Sequence, residues 1–242
     1  LKIARDSEGI TSPITFAASA NCMLYNNLVP RFADIDEQSY NIDVKSIRKL
    51  LNEKSKLMIP VHFAGLPVDM ETVAELAKEK NLHVIEDAAH AIGSQYADGS
   101  FVGNCKYSDM SIFSFHPVKT ITTGEGGAIT TNSKILYDRL IKLRSHGITK
   151  DQHALSSNPG PWYYEMQDLG FNYRLTDFQA ALGISQLQRL DSFKQRRREI
   201  ISRYNQAFKK ISWLSIPKEP TELNSCFHLY VLLIDFKALG KS

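Results

Sequence analysis

Lys119 stands alone among small, hydroxylated and glycine residues in the segment Ser114-Phe115-His116-Pro117-Val118-Lys119-Thr120-Ile121-Thr122-Thr123-Gly124-Glu125-Gly126-Gly127. A lysine on an ordinary surface helix has charged neighbours and full hydration. A partly desolvated one gives up its proton more readily, and its free amine can attack an aldehyde. Upstream, Glu86-Asp87-Ala88-Ala89-His90-Ala91 closes an apolar run with carboxylates and follows it with an imidazole. A carboxylate such as Asp87 could keep a pyridine nitrogen protonated, which turns a conjugated ring into an electron sink. The Ser114 hydroxyl, with backbone N–H groups nearby, could take a phosphate.

Each of these residues also has an ordinary use. A lone lysine can snorkel at a surface, Asp87 can cap a following helix, and Ser114 can simply end a strand. His90 and His116 can be satisfied core or loop histidines, and His62, His83, His146 and His228 read as structural. A metal enzyme built on Asp87, His90 and His116 has only a weak Asp-x-x-His spacing behind it. A nicotinamide dehydrogenase is disfavoured, because Gly124-Glu125-Gly126-Gly127 is not GxGxxG and precedes a strand instead of a helix.

The elements that must position these groups alternate between strand and helix patterns. Residues 56–63 form an apolar run, and Asp69 then starts a helix with Val73, Leu76, Ala77 and Lys80 at helical period and Asn81 at its end. Residues 82–87, 110–115 and 127–131 read as strands. Ile135, Leu136, Leu140 and Leu143 mark a further helix, followed by a long aperiodic loop over 150–168. Helical patterns run from Leu175 to about Leu190 and from Asp191 to about Lys210, and residues 227–234 read as the first strand of a smaller domain. The pattern predicts an α/β fold with a mostly parallel central sheet covered by helices on both faces. Residues 1–190 would be the large domain, with its N-terminal part missing, and 191–242 a linking helix plus the start of a small C-terminal α+β domain. Ligands in such sheets bind at the carboxyl ends of strands, where Asp87 and Ser114 both fall.

Composition narrows the class. The formal net charge is +3, with acidic and basic residues mixed, which is too mild to indicate nucleic acid. The basic run Lys194-Gln195-Arg196-Arg197-Arg198 lies within a helical pattern and is expected to be a solvated face. Cys22, Cys105 and Cys226 are far apart and odd in number, so a reducing, cytoplasmic setting is expected. The N-terminal residues do not read as a signal peptide, no apolar run in the sequence approaches membrane-spanning length, and both ends read as cut.

The pairing of Glu86-Asp87-Ala88-Ala89-His90-Ala91 with Phe113-Ser114-Phe115-His116-Pro117-Val118-Lys119, then Gly124-Glu125-Gly126-Gly127, resembles the DegT/DnrJ/EryC1/StrS sugar aminotransferases. The resemblance extends through Thr11–Asn21, Pro60–Gly65, Arg144–Gly147 and Gly170–Asp177, in family order. It implies a fold-type I enzyme dependent on pyridoxal 5′-phosphate (PLP). Lys119 matches the Schiff-base lysine that also shuttles a proton, and Asp87 matches the carboxylate on the pyridine nitrogen. His90 matches a residue beside the ring near its phenolic oxygen, Ser114 a phosphate ligand, and Phe16 an aromatic stacked on the ring. Asn172 and Arg174 match residues that reach the neighbouring subunit's cofactor phosphate, which implies a homodimer with shared sites. The ordinary uses of Phe16 and Asn172 are core packing and turning the chain after Gly170.

Within the family, Pro161–Gly170, Phe32–Asp36 and Tyr40–Asp43 resemble the branch that serves pseudaminic acid biosynthesis. That branch moves an amino group from glutamate to C4 of a UDP-4-keto-6-deoxy-N-acetylhexosamine. The alternatives are an aminotransferase of the family for another keto-sugar, or an inactive fragment or regulatory relative. Sugar 3-dehydrases of the same fold carry His at the Schiff-base position, so Lys119 argues against that class. Family members begin earlier, with a small-residue loop that adds phosphate contacts, and continue past residue 242. The resemblance therefore implies most of the cofactor residues but an incomplete substrate pocket.

Overall fold

The computed structural model describes residues 1–241. Its centre is one six-stranded sheet made of β1 (Glu8–Thr11), β2 (Val29–Phe32), β3 (Ser55–Ile59), β4 (His83–Asp87), β5 (Met110–Ser114) and β6 (Gly127–Thr130), in the order β2-β1-β3-β4-β5-β6. The pairs from β2 to β5 are parallel, and β6 returns antiparallel to β5.

Successive residues of a strand face opposite sides, and the core divides accordingly. Ile10, Met58 and Val84 join the larger core with Ile47 of α2 (Val44–Leu50) and Val73, Leu76 and Ala77 of α3 (Met70–Lys80). Their neighbours Leu57, Ile59 and Ile85 pack on the other side with Met23 of α1 (Ala18–Tyr25). Helices thus cover both faces, as a buried parallel sheet requires. Gly9 lets α1 approach closely, since a Cβ there would lie 2.6 Å from Met23 Sδ. The signals that bound α3 in the sequence do so in the fold: Asp69 accepts from Thr72 N at 3.2 Å, and Asn81 takes the left-handed conformation at φ 53°.

Beyond β6 the chain forms α4 (Lys134–Arg144), the two-residue strands β7 (Ile148–Thr149) and β8 (Glu165–Met166) that pinch the long loop, and α5 (Asp177–Gln188). A capping box between Thr176 and Gln179 starts α5. Only Arg189 separates it from α6 (Leu190–Phe208), so the expected boundary near 190 falls at this junction.

Two local expectations need correction. The strand expected over 227–234 is confined to β10 (Leu233–Ile234), which pairs with β9 (Leu214–Ser215). The upstream backbone is held by α6 instead: Arg197 Nη1 donates to the carbonyls of Phe227 and His228 at 3.2 and 3.1 Å, and Arg198 Nη2 to that of Ser225 at 2.9 Å. For the same reason the basic run is no simple solvated face. Arg198 also meets the Glu219 carboxylate at 2.9 Å, and Lys194 donates to the Gly93 carbonyl, while Arg196 only pairs with Glu199 along the exposed helix.

Candidate active site

The pleat of β4 sends Glu86 into the larger core and Asp87 toward α1. Glu86 is fully buried and accepts from His62 Nε2 at 2.8 Å, from Ser111 Oγ at 2.9 Å, and from the Tyr96 and Ser108 hydroxyls. His62 Nδ1 accepts from Val68 N at 3.0 Å, which assigns the ring proton to Nε2 and makes a neutral His62 sufficient. Burial pushes the Glu86 carboxyl up, but the hydrogen bonds from His62 and from the Ser108 and Tyr96 hydroxyls outweigh it and leave it below its ordinary value.

Asp87 sits at the strand's carboxyl end, half-buried. Its backbone N–H donates to Pro60 O at 2.9 Å, and its carbonyl accepts from His62 N at 3.1 Å, which ties the end of β4 to the chain leaving β3. Its Oδ2 accepts from Ser19 Oγ on α1 at 2.7 Å, and its Oδ1 from Ala89 N at 3.1 Å. It therefore makes a short loop contact and caps no helix. The Thr15 and Ser19 hydroxyls lie 2.7 Å apart and extend the chain of hydroxyls outward.

The loop after β5 is knotted on itself. Phe115 N donates to Gly126 O at 2.8 Å, Thr123 N to Phe115 O at 3.0 Å, and Lys119 N to His116 O at 2.9 Å. Buried Thr120, Ile121 and Thr123 anchor it, so Lys119 is presented from a fixed turn. Burial lowers the Lys119 pKa, and the facing Asp87 carboxylate only partly opposes this. His90 lies beside both: burial first, then the Lys119 charge, push its pKa down to about 4 against the pull of Asp87. Its Nδ1 is buried without a partner, as are Thr120 Oγ1 and His228 Nδ1. Ser114 Oγ sits at the end of β5 and accepts from His116 N at 3.4 Å. His116 itself is exposed, 3.9 Å from the Glu125 carboxylate.

The remaining expected residues lie differently. Phe16 lies just before Ala17, the N-cap of α1, and is 79% exposed, so it packs into no core. Asn172 and Arg174 are exposed on a segment laid along the end of α4, where Phe171 N donates to Leu143 O at 2.7 Å and Tyr173 N to Arg144 O at 2.9 Å. Among the described residues no hydrogen bond or ion pair joins them to Asp87, His90, Ser114 or Lys119. Ser19, Thr15 and His228 enter the site's surroundings without having been expected there. A hydroxyl near Phe16 is visible in the sequence, but only the placement of α1 turns it onto a strand so distant in the chain. No group of three or more His, Cys, Asp or Glu among the described residues is placed to hold a metal ion.

A poorly solvated amine, a facing carboxylate with lone pairs to spare, and a buried imidazole nitrogen lacking a partner suit a flat heterocycle bearing an aldehyde. A transaminase of Campylobacter jejuni named for UDP-4-amino-4,6-dideoxy-N-acetyl-β-L-altrosamine is 42% identical over 228 residues, covering 93% of this chain and 57% of its own length. Helicobacter pylori PseC, described as an aminotransferase of pseudaminic acid biosynthesis, superposes with a TM-score of 0.88 at 35% identity, over 98% of this chain and 61% of its own. The Streptococcus pneumoniae sugar aminotransferase Spr1654 in its PMP form gives 0.87 at 28% identity, over 97% and 63%. The chain spans 57–61% of the length of the first curated relatives it matches. Residues 1–242 match the family whose aminotransferases depend on PLP, so the chain belongs to the DegT/DnrJ/EryC1/StrS aminotransferase family.

Proposed function

We propose that this chain is the cofactor-binding part of a PLP-dependent transaminase that moves an amino group from glutamate to C4 of a UDP-4-keto-6-deoxy-N-acetylhexosamine, for pseudaminic acid or a related surface glycan. The observation that carries this reading is the electrostatic coupling of Lys119, Asp87 and His90 at the carboxyl end of β4 and in the loop after β5, with burial lowering the lysine pKa. The similarity to transaminases of that sugar branch supports the substrate.

Lys119 would hold the cofactor through its amine, Asp87 its ring nitrogen and Ser114 its phosphate. Phe16 would lie against the ring and His90 near the phenolic oxygen. When bound, PLP supplies a conjugated electron sink that stabilises negative charge on the carbon being deprotonated. Lys119 Nζ, whose pKa burial lowers, would act, when its amine is free of the cofactor, as the base that takes a proton and the acid that returns it. Asp87 stays oriented by Ser19 and Ala89 while it keeps lone pairs for the ring nitrogen.

Asn172 and Arg174, exposed and not hydrogen-bonded to this chain's own site residues, would serve a second copy's phosphate, in a homodimer with shared sites. The exposed apolar side chains Phe178, Ile184 and Leu187 of α5 are surface that such a dimer would cover. We place the reaction in the reducing cytoplasm, consistent with three unpaired cysteines, and assign 1–190 to the large domain and 191–242 to the linker and the start of the small one.

The test is the full-length protein with glutamate and a panel of nucleotide keto-sugars. Amino transfer to the UDP-4-keto-6-deoxy-N-acetylhexosamine is the expected result. Transfer only to another keto-sugar would overturn the substrate, and bound PLP without transfer to any would point to a regulatory relative.

A further inference from the structure

His228 belongs to an irregular segment fastened from several sides. Arg197 holds its carbonyl and that of Phe227, Cys226 N donates to Ser94 Oγ at 2.9 Å, and Leu229 N donates to Ala64 O at 3.3 Å. Cys226 Sγ donates to the carbonyl of His90 at 2.9 Å. The approach is close enough that a Cβ on Gly65, whose φ is +93°, would lie 2.7 Å from Cys226 Sγ and 3.1 Å from His228 N. The result is a ring contact: the His90 and His228 centroids are 4.4 Å apart, tilted by 34°. His228 is 8% exposed, and the Nδ1 atoms of both rings are buried with no partner. Nothing in the hydrogen-bond pattern explains an imidazole there, since His228 contributes only its ring face and its backbone.

We propose that His228 is a positioning residue for the site: its ring, seated against His90, fixes the orientation of that imidazole and seals its inner side from water. This rests on the reading above that His90 serves the cofactor. The charged and titratable groups facing the pair are Lys119 and Asp87 around His90, and Lys119 and Arg197 around His228. Burial, the neighbouring imidazole and these two cations push His228 down to about 3, so it meets His90 as a neutral ring. Two neutral imidazoles stack without the repulsion that a protonated pair would suffer beside Lys119.

The experiment is an NMR pH titration of the full-length protein carrying 13C-labelled histidine, with the His90 signal assigned by its loss in His90→Gln. In the parent His90 should titrate near pH 4. His228→Phe, which keeps a flat ring in place, should leave that midpoint low. His228→Ala, which admits water, should raise it by at least one unit toward the ordinary 6.5. Should the alanine variant fail to fold, His228→Asn opens the same space and carries the same expectation. An unmoved midpoint in Ala or Asn, or a Phe variant that titrates like them, overturns the proposal. A ring-dependent midpoint in a protein that binds no added PLP would keep the His228 role and sink the cofactor reading instead.

Discussion

Glu86 and Asp87 are consecutive on β4, and their surroundings could hardly differ more. On the core side, Glu86 is sealed in and meets four donors, so every lone pair of consequence has a partner. On the α1 side, Asp87 is half-buried with two donors, next to an amine whose charge burial disfavours and an imidazole nitrogen with no partner at all. Buried polar groups are normally satisfied, because an unmade hydrogen bond costs about 1–3 kcal/mol. The first carboxylate is finished by the fold, and the second leaves hydrogen-bonding capacity for something else. One strand thus serves as keystone on one face and, on the proposed reading, as binding wall on the other.

The contrast is broken most severely on the open side. Lys119→Ala should cut amino transfer by roughly 10³-fold or more while leaving the urea unfolding midpoint close to the parent's, because the proposed role of the residue is chemistry and not packing. A residual rate within tenfold of the parent would remove Lys119 from the mechanism. On the closed side the effect should fall on stability. Glu86→Ala strands the His62, Tyr96, Ser108 and Ser111 donors in the core and should cost about 3 kcal/mol in urea denaturation. A loss below about 1 kcal/mol would mean the network is not the keystone described here.

Acid should sharpen the same comparison. His90 and His228 stay neutral in the fold but accept protons near pH 6.5 once unfolded, so below 6.5 the unfolded chain binds more protons. Stability should therefore decline as pH falls from 6.5 toward about 4 for His90 and about 3 for His228, by at most about 1.4 kcal/mol per unit for each group. Glu86, held below 4.5, stabilises fully above that value, and its share is lost only as pH drops through its lower folded pKa. The decline between pH 6.5 and 4.5 should be shallower in His90→Gln, and an equal slope would contradict the buried neutral imidazole. The smallest effect is expected for Ser19→Ala, which removes one donor from Asp87. Transfer should fall several-fold, with Ser19→Thr restoring it, and full activity in the alanine variant would leave Ser19 a packing residue only.

What could be read from the sequence follows the same division. The strands from β3 to β6 and the helices α3 to α6 announce themselves by apolar period and caps, as at Asp69 and Asn81. The strand Glu8–Thr11 has polar residues at both ends of four positions, too short for alternation to show. Lys119 and Asp87 stand out because their residue types conflict with local surroundings. Ser19 and His228 do not, because their roles depend on which helix or segment packs against β4. The apolar residues 227–234 read as a strand on composition, but Arg197 of α6 captures the carbonyls of Phe227 and His228 that a strand would have paired.

On the proposed reading, the amine of Lys119 is the one that meets the aldehyde. Incubating the full-length protein with PLP, reducing with borohydride and sequencing its peptides by mass spectrometry tests this directly. A phosphopyridoxyl group on Lys119 in stoichiometric yield is expected, and a label spread over other lysines, or none at Lys119, would overturn the assignment.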